Sequence, residues 1–292
     1  MGDKMAIKIL TDSTCYIPEE LINKYSIDIV SLGIVFNENE TYKETELSNS
    51  FFYSKLKSSK SLPTSSQPPI HDIKAIFERN AEAGDSTIAI FISSKMSGTY
   101  NTANMANAMV IEQYPDAKIE IVDSLSNSLQ LGFAVLAAAE AVSENKAFYE
   151  VVRAAKDNIA RSKFIFIPDN LEYLRKGGRI GAASSLLGTL MRIKPILTVY
   201  EGSVKVLDKV RTKKRAVQSL IDIFMRDIKK FGLGNIKVHH IECEDEAKSL
   251  AKYLEDLIKI PVSIASIGPV IGTHVGPGAI GLVYYTKEPL CN

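Results

Sequence analysis

The chemistry this chain can offer is concentrated in three short segments rich in hydroxyls and glycines. The first is "FISSKMSGTYNTANMANAM", from Phe91 to Met109, where Ser93, Ser94, Ser97 and Thr99 surround the junction between an apolar run and a helical pattern. A helix N-terminus offers backbone N–H groups and partial positive charge. Ser94 or Ser97 suits the cap, and Gly98 lets another group approach the backbone. The junction therefore fits an anion such as a carboxylate or phosphate, with plain capping as the alternative. The second segment, "LPTSSQPPIHD" (Leu62 to Asp72), sets Thr64, Ser65 and Ser66 before Gln67-Pro68-Pro69. Prolines oppose ladder pairing, so a stiff hydroxylated loop is expected. The third, "SIGPVIGTHVGPGAIG" (Ser266 to Gly281), holds five glycines, two Gly-Pro steps and His274. That density implies tight turns, and a histidine in a glycine loop can donate to an anion or exchange a proton.

Other candidates carry less. His239 and His240 are adjacent in a strand pattern, so they point to opposite faces rather than forming a metal pair. Asp12 and Asp123 each end a strand, where a carboxylate can ligate a metal or orient a hydroxyl, but no further carboxylates at ligand spacing accompany them. Ser97, His274 and Asp123 offer the residue types of a hydrolase triad without a nucleophile-elbow motif. GxGxxG after the first strand, a Walker A loop and HExxH are all missing. Arg175, Lys176 and Arg179 flank the Gly-Gly turn of "NLEYLRKGGRIG", and "KVRTKKRA" adds five cations. These basic segments suit phosphates or an acidic partner, or simply a solvated surface, and lack the aromatic interleaving of a nucleic-acid site.

The elements that must position these groups alternate. Apolar runs at Ile7–Leu10, Ile27–Phe36, Ser86–Ser93 and Ile119–Ser124 read as strands. Helical patterns separate them, including Ser48–Ser58, Ile70–Ala83 and two helices between Ser126 and Ser162. Strand–helix alternation implies a parallel sheet with crossover helices. Beyond about residue 160 the pattern changes. It comprises a strand at Lys163–Asn170, a hairpin from Lys194 to Val210 turning at Glu201-Gly202, a helix from Thr212 to Phe231, and strands near Ile236, Val262 and Gly281. The expected fold class is α/β, with an N-terminal parallel-sheet domain over residues 1–160 and a C-terminal α+β domain over 161–292.

Composition bounds the function classes. In 292 residues, 46% are hydrophobic and the net charge is +1, so no global field draws the chain to nucleic acid or membrane. Three dispersed cysteines, Cys15, Cys243 and Cys291, argue against a disulfide framework and for a reducing compartment. The opening "MGDKMAIKILTD" has charges and only a strand-length apolar run, so no secretory leader and a cytoplasmic location are expected.

Along nearly the whole chain, "ILTDST", "PTSSQP", "ISSKMSGTYNTA", "VDS", "LRKGGRIG", "KPIL", "KVRTKKRA" and "GPVIGTHVGPGAIGLVYY" follow in the order seen in the DegV family. The chain thus resembles the bacterial FakB-like fatty-acid-binding proteins. The resemblance implies a two-domain DegV-like fold with a lipid site between the domains. It implies a carrier rather than an enzyme, without a metal or cofactor, holding a long-chain fatty acid whose carboxylate meets hydroxyls and a histidine. A separate fatty acid kinase would then make the acyl phosphate used in phospholipid metabolism, with no stable membrane insertion of the carrier. Matched residue by residue, the family's elements fall on Ser65-Ser66-Gln67-Pro68, Ser97-Gly98-Thr99-Tyr100 and His274, and with the neighbouring hydroxyls the expected head-group set is Thr64, Ser65, Ser66, Ser94, Ser97, Gly98 and His274. Ser65 stands where the family usually has threonine. Arg175 and Arg179 are the expected contacts to the kinase. "DSLSNSLQLGFAV" departs from the family pattern beside the tunnel, and the alanine-rich helix that follows is expected to line it. The rival function is a hydrolase or phosphoryl-transfer enzyme acting on a small anionic substrate.

Overall fold

The computed structural model describes residues 5–187 and 193–290; Cys291 lies outside the described residues. Four strands, β1 (Ile7–Asp12), β2 (Asp28–Val30), β6 (Ser86–Phe91) and β7 (Ile119–Asp123), form an all-parallel sheet in the order β2-β1-β6-β7. Parallel neighbours require crossovers. These contain α1 (Glu19–Tyr25), α2 (Asn49–Ser58), α3 (Ile70–Glu82) and α4 (Thr99–Gln113). Every residue of the apolar run in β6 is buried, as a central strand covered on both faces must be. On one face Ile73 and Phe77 of α3 and Ala103, Ala106 and Val110 of α4 pack on Leu10, Ala89 and Phe91. The other face meets α5 (Ser128–Ser143), which pairs with α6 (Phe148–Arg161).

The run Ile27–Phe36 is not one strand. It breaks at Ser31-Leu32 into β2 and β3 (Gly33–Asn37), which belong to different sheets. The Ser31 hydroxyl donates to the Leu32 carbonyl and accepts from Thr45 N–H, which fixes the corner. β3 is the centre of a small antiparallel sheet between β4 (Glu40–Lys43) and β5 (Thr64–Ser66). The hydroxylated segment expected to be an unpaired loop is therefore an edge strand. Its prolines, Pro63, Pro68 and Pro69, lie just outside the three paired residues, so no ladder donor is lost.

The second half builds a six-stranded mixed sheet from β8 (Ser162–Ile167), β9 (Lys194–Tyr200), β10 (Ser203–Val210), β11 (Leu233–His240), β12 (Ser263–Ser266) and β13 (Ile280–Thr286). The order is β10-β9-β8-β13-β11-β12, with only the β11–β12 pair parallel. The β9–β10 hairpin turns at Glu201-Gly202 as the sequence indicates. Both residues have positive φ, 49° and 77°, as a two-residue turn matched to strand twist requires. α7 (Glu172–Lys176) follows β8. α8 (Lys213–Phe231), capped by Thr212, and α9 (Glu244–Ile258) cover the outer face. α10 (Pro269–Val275) is a short helix where a glycine loop was expected; Pro269 at its first position supplies a preformed φ. The inner face, with Phe164, Phe166, Leu197 and Val199, joins Ile9, Ile88 and Ile90 and the α5 alanines in one core cluster.

Candidate functional site

Where the inner face of the six-stranded sheet approaches the C-terminal ends of β1 and β6, an apolar cavity is enclosed. Its walls are Leu32, Ile92, Phe164, Phe166, Leu174, Val199, Val204, Val270, Ile271 and Val275, with Met96 beside them. The cavity volume is about 40 Å³, within about 530 Å³ of atom-free space that is partly open to solvent. Five side chains with polar atoms line it: Ser65, Ser97, Asn127, Arg179 and His274.

Alternation along β5 selects one hydroxyl of three. Thr64 and Ser66 are exposed, and Ser65 between them turns inward. Its Oγ lies 2.8 Å from Nε2 of His274. Thr64 and Ser66 do not line the cavity, so the expected hydroxyl triplet reduces to Ser65. Ser97 enters from the β6–α4 junction, its Oγ 2.9 Å from Thr99 Oγ1 and accepting weakly from Thr99 N–H at 3.4 Å. Neither Ser97 nor Ser94 is the helix cap; Gly98 holds that position. Gly98 is needed because a side chain there would overlap the amide of Gln67, whose Nε2 donates to Thr102 Oγ1 at 2.6 Å. The segment carrying Ser65 is thereby locked to the helix that Ser97 precedes. Ser94 stays outside the cavity, its N–H donating to Asp123 at 3.2 Å.

His274 is 8% exposed. Burial, reinforced by the nearby Arg179 charge, pushes its pKa down to about 4, so the imidazole is neutral at physiological pH. Its Nδ1 has no hydrogen-bond partner and faces Gly177, where any Cβ would overlap the ring. The triad alternative loses its orienting carboxylate. Asp123 is spent on the N–H groups of Ser94 and Leu125 and does not meet His274. Asp12 is likewise occupied, accepting from Ile92 N–H, Thr14 N–H and the Thr14 hydroxyl. Among the described residues no group of three or more His, Cys, Asp or Glu is arranged for a metal.

The two arginines separate. Arg175 points to an ion pair with Glu172 on α7, 3.5 Å away. Arg179 lies at the cavity mouth, exposed, with Nε donating to the Met96 carbonyl at 3.2 Å and Nη1 to the Gly177 carbonyl at 2.9 Å. Sequence reasoning missed Asn127. It precedes α5, is 7% exposed, donates to Met96 Sδ at 3.2 Å and has no partner for Oδ1. The hydroxyl-rich "DSLSNS" after β7 was its only signal. The alanines of α5 do not line the cavity; Ala134 and Ala138 are core residues, and only the cap residue reaches it.

A parallel-sheet half facing a mixed-sheet half across a lined cavity is a two-part α/β architecture. The profile described as "Uncharacterised protein, DegV family" matches residues 6–287, and the chain belongs to that family. A DegV domain-containing protein of Clostridium acetobutylicum is 53% identical over 284 residues, covering 97% of this chain and 99% of the relative. Among solved structures, DegV of Bacillus subtilis, described as a fatty acid binding protein, is 32% identical with a TM-score of 0.87 and covers 97% of this chain and 100% of its own. A Thermus thermophilus DegV family protein, whose structure concerns fatty acid binding, is 28% identical with a TM-score of 0.85 and covers 97% and 100%. No helix among the described residues is long and apolar enough to cross a membrane.

Proposed function

We propose that this protein binds a long-chain fatty acid in the cavity between residues 1–160 and 161–292, with the carboxylate at Ser65, Ser97 and His274. The observation that carries the reading is the convergence of two hydroxyls and a neutral imidazole at one apolar cavity. Relatives of the same fold described as fatty acid binding support it. The division of labour follows from solvation. An acyl chain contributes about 0.8 kcal/mol per buried methylene, so the tail provides gross affinity. The head group must keep hydrogen bonds because an unpaired buried carboxylate is costly. Ser65, Ser97 and a donating tautomer of His274 can replace its water. Arg179 at the mouth is exposed, so solvent screens its charge from the head group.

The chain acts as a carrier in this reading, and the chemistry belongs to a separate fatty acid kinase that converts the carboxylate to an acyl phosphate for phospholipid synthesis. Such a partner must dock where the head group emerges, beside Arg175 and Arg179. Complementary charge there speeds encounter and sets orientation. The test is binding of a fluorescent fatty acid to wild type, Arg179→Glu and His274→Ala, followed by acyl-phosphate formation with the cognate kinase. Arg179→Glu should slow phosphorylation and reduce its salt sensitivity while affinity changes little. Equal rates for wild type and Arg179→Glu would remove the docking role.

A further inference from the structure

Glu44 lies in a short 3-10 turn, Glu44–Glu46, after β4, and is 5% exposed. Its carboxylate accepts three hydrogen bonds, all from neutral donors. Oε2 takes the Ser13 hydroxyl at 2.5 Å. Oε1 takes the Tyr16 hydroxyl at 2.9 Å and the backbone N–H of Val270 at 2.8 Å. The Tyr16 oxygen in turn accepts from Ile271 N–H at 3.2 Å. Tyr53 completes the grip by donating to the Ile267 carbonyl at 2.7 Å, with its hydroxyl packed against Gly272. Gly268 is closed in by the Tyr16 ring and Glu44, so a side chain there would collide with both.

These contacts act on α10, whose first turn has two amides, Val270 and Ile271, that the helix itself cannot satisfy. Both are satisfied from the other half of the molecule, directly by Glu44 and through Tyr16. The same helix supplies four cavity residues, Val270, Ile271, His274 and Val275. The ionised acid accepts from Ser13, Tyr16 and Val270 at once, and its Oε1 still accepts from Tyr16 and Val270 when the other oxygen is protonated. Ser13 Oγ already accepts from Leu32 N–H at 3.1 Å, so its hydroxyl proton is directed at Glu44.

We propose that Glu44 is the positioning residue of the fatty-acid site: its buried carboxylate pins the first turn of α10 and thereby sets His274 and the apolar wall beside it. The proposal rests on the fatty-acid reading for its effect on affinity, but its structural core does not. Burial raises the Glu44 pKa to about 7. The groups facing it are Asp12 from β1, a like charge, and the phenols of Tyr16 and Tyr53. No cation offsets its charge there, so burial favours the protonated acid as pH falls below about 7, and Oε1 accepts from Tyr16 and Val270 in either state.

The test compares wild type, Glu44→Gln and Glu44→Ala by two measurements on the full chain: hydrogen exchange of the Val270 and Ile271 amides, and affinity for a fluorescent long-chain fatty acid. Gln keeps an oxygen for Val270 and Tyr16, so exchange and Kd should stay within about threefold of wild type. Ala leaves both donors unanswered, so amide exchange should accelerate at least about tenfold and Kd rise by about tenfold, for a hydrogen bond to a charged group. Faster exchange confined to α10 with unchanged affinity overturns the role in binding. Unchanged exchange in Glu44→Ala overturns the pinning itself. If wild type binds no fatty acid, the functional reading fails and exchange at Val270 and Ile271 alone decides the pinning. Should Glu44→Ala fail to fold, Tyr16→Phe, which removes the hydroxyl that links Ile271 to Glu44, replaces it. Faster exchange at Ile271 then supports the pin, and wild-type exchange overturns it.

Discussion

Two adjacent glycines distinguish a steric role for the cavity rim from a backbone role. Gly177 has φ −73° and ψ −11°, an ordinary right-handed conformation that alanine adopts freely. A methyl at Gly177 would overlap His274 Nδ1 and sit 3.2 Å from its Cε1 and 3.1 Å from the Tyr173 carbonyl oxygen. Carbon contacts settle near 3.5–4.0 Å, so the ring must give way. It cannot retreat along its own axis, because Ser65 stands 2.8 Å from the opposite nitrogen. It must rotate, and the Ser65 bond is lost. Losing that bond and leaving one partner unanswered costs roughly 1–3 kcal/mol, or about 5–150-fold in Kd if it is expressed in fatty-acid binding. Gly178 is the control. It has φ +68° with nothing within 4 Å of a Cβ, so Gly178→Ala strains the backbone by about 1–2 kcal/mol and meets no side chain. Both variants should melt somewhat earlier, but only Gly177→Ala should lose affinity; Gly178→Ala should bind normally. The assay is titration with a fluorescent fatty acid beside thermal melting. Wild-type affinity in Gly177→Ala, or an equal loss in both variants, refutes the placement of His274 in the head-group site.

Ser65→Ala and Ser97→Ala should each weaken fatty-acid binding by about 1–3 kcal/mol with the fold retained, checked by the same titration and circular dichroism. Stability should carry a pH signature from Glu44. Its pKa is raised from 4.5 to about 7 by burial, so the folded state holds a proton that the unfolded chain has released. Stability from this group is therefore full below about pH 4.5 and falls as pH rises to about 7, by roughly 3 kcal/mol in total. His239 and His274, both depressed to about 4, act with the opposite sign between about 4 and 6.5. The diagnostic quantity is thus wild-type stability minus that of Glu44→Gln, which should fall by roughly 3 kcal/mol as pH rises through that window; a constant difference contradicts it. Val199 borders both the head-group cavity and a second one lined by Gln130, Ser162 and Leu207. Val199→Ala should shift preference towards longer acyl chains, each added methylene contributing about 0.8 kcal/mol; an unchanged chain-length profile would show that the two spaces do not communicate.

Local patterns made much of this molecule legible. The buried run in β6 and the Glu201-Gly202 turn are near-deterministic signals, since a fully apolar strand needs two covered faces and a tight hairpin needs two positive φ values. Ser65, Ser97 and His274, singled out by their types and by family resemblance, line one cavity, where we propose they meet the head group. What escaped was decided by tertiary contacts. The β5 strand exists because β3 offers it an edge, which its prolines conceal. Asn127 is held at the cavity by Met96, a residue with no polar signal of its own. Glu44 reads as a surface acid in "TYKETELS", and only the arrival of α10 from more than two hundred residues away makes it a buried acceptor.

The central claim is tested most directly by native mass spectrometry of the protein purified from a bacterial host, followed by organic extraction and identification of any bound lipid. One equivalent of a saturated or monounsaturated long-chain acid, roughly C14–C20, is the predicted result. It should be displaced by added fatty acid and reduced in the Ser65→Ala, Ser97→Ala double variant. Protein that carries no acyl ligand, takes up none on titration, and instead turns over a small phosphoester would contradict the account.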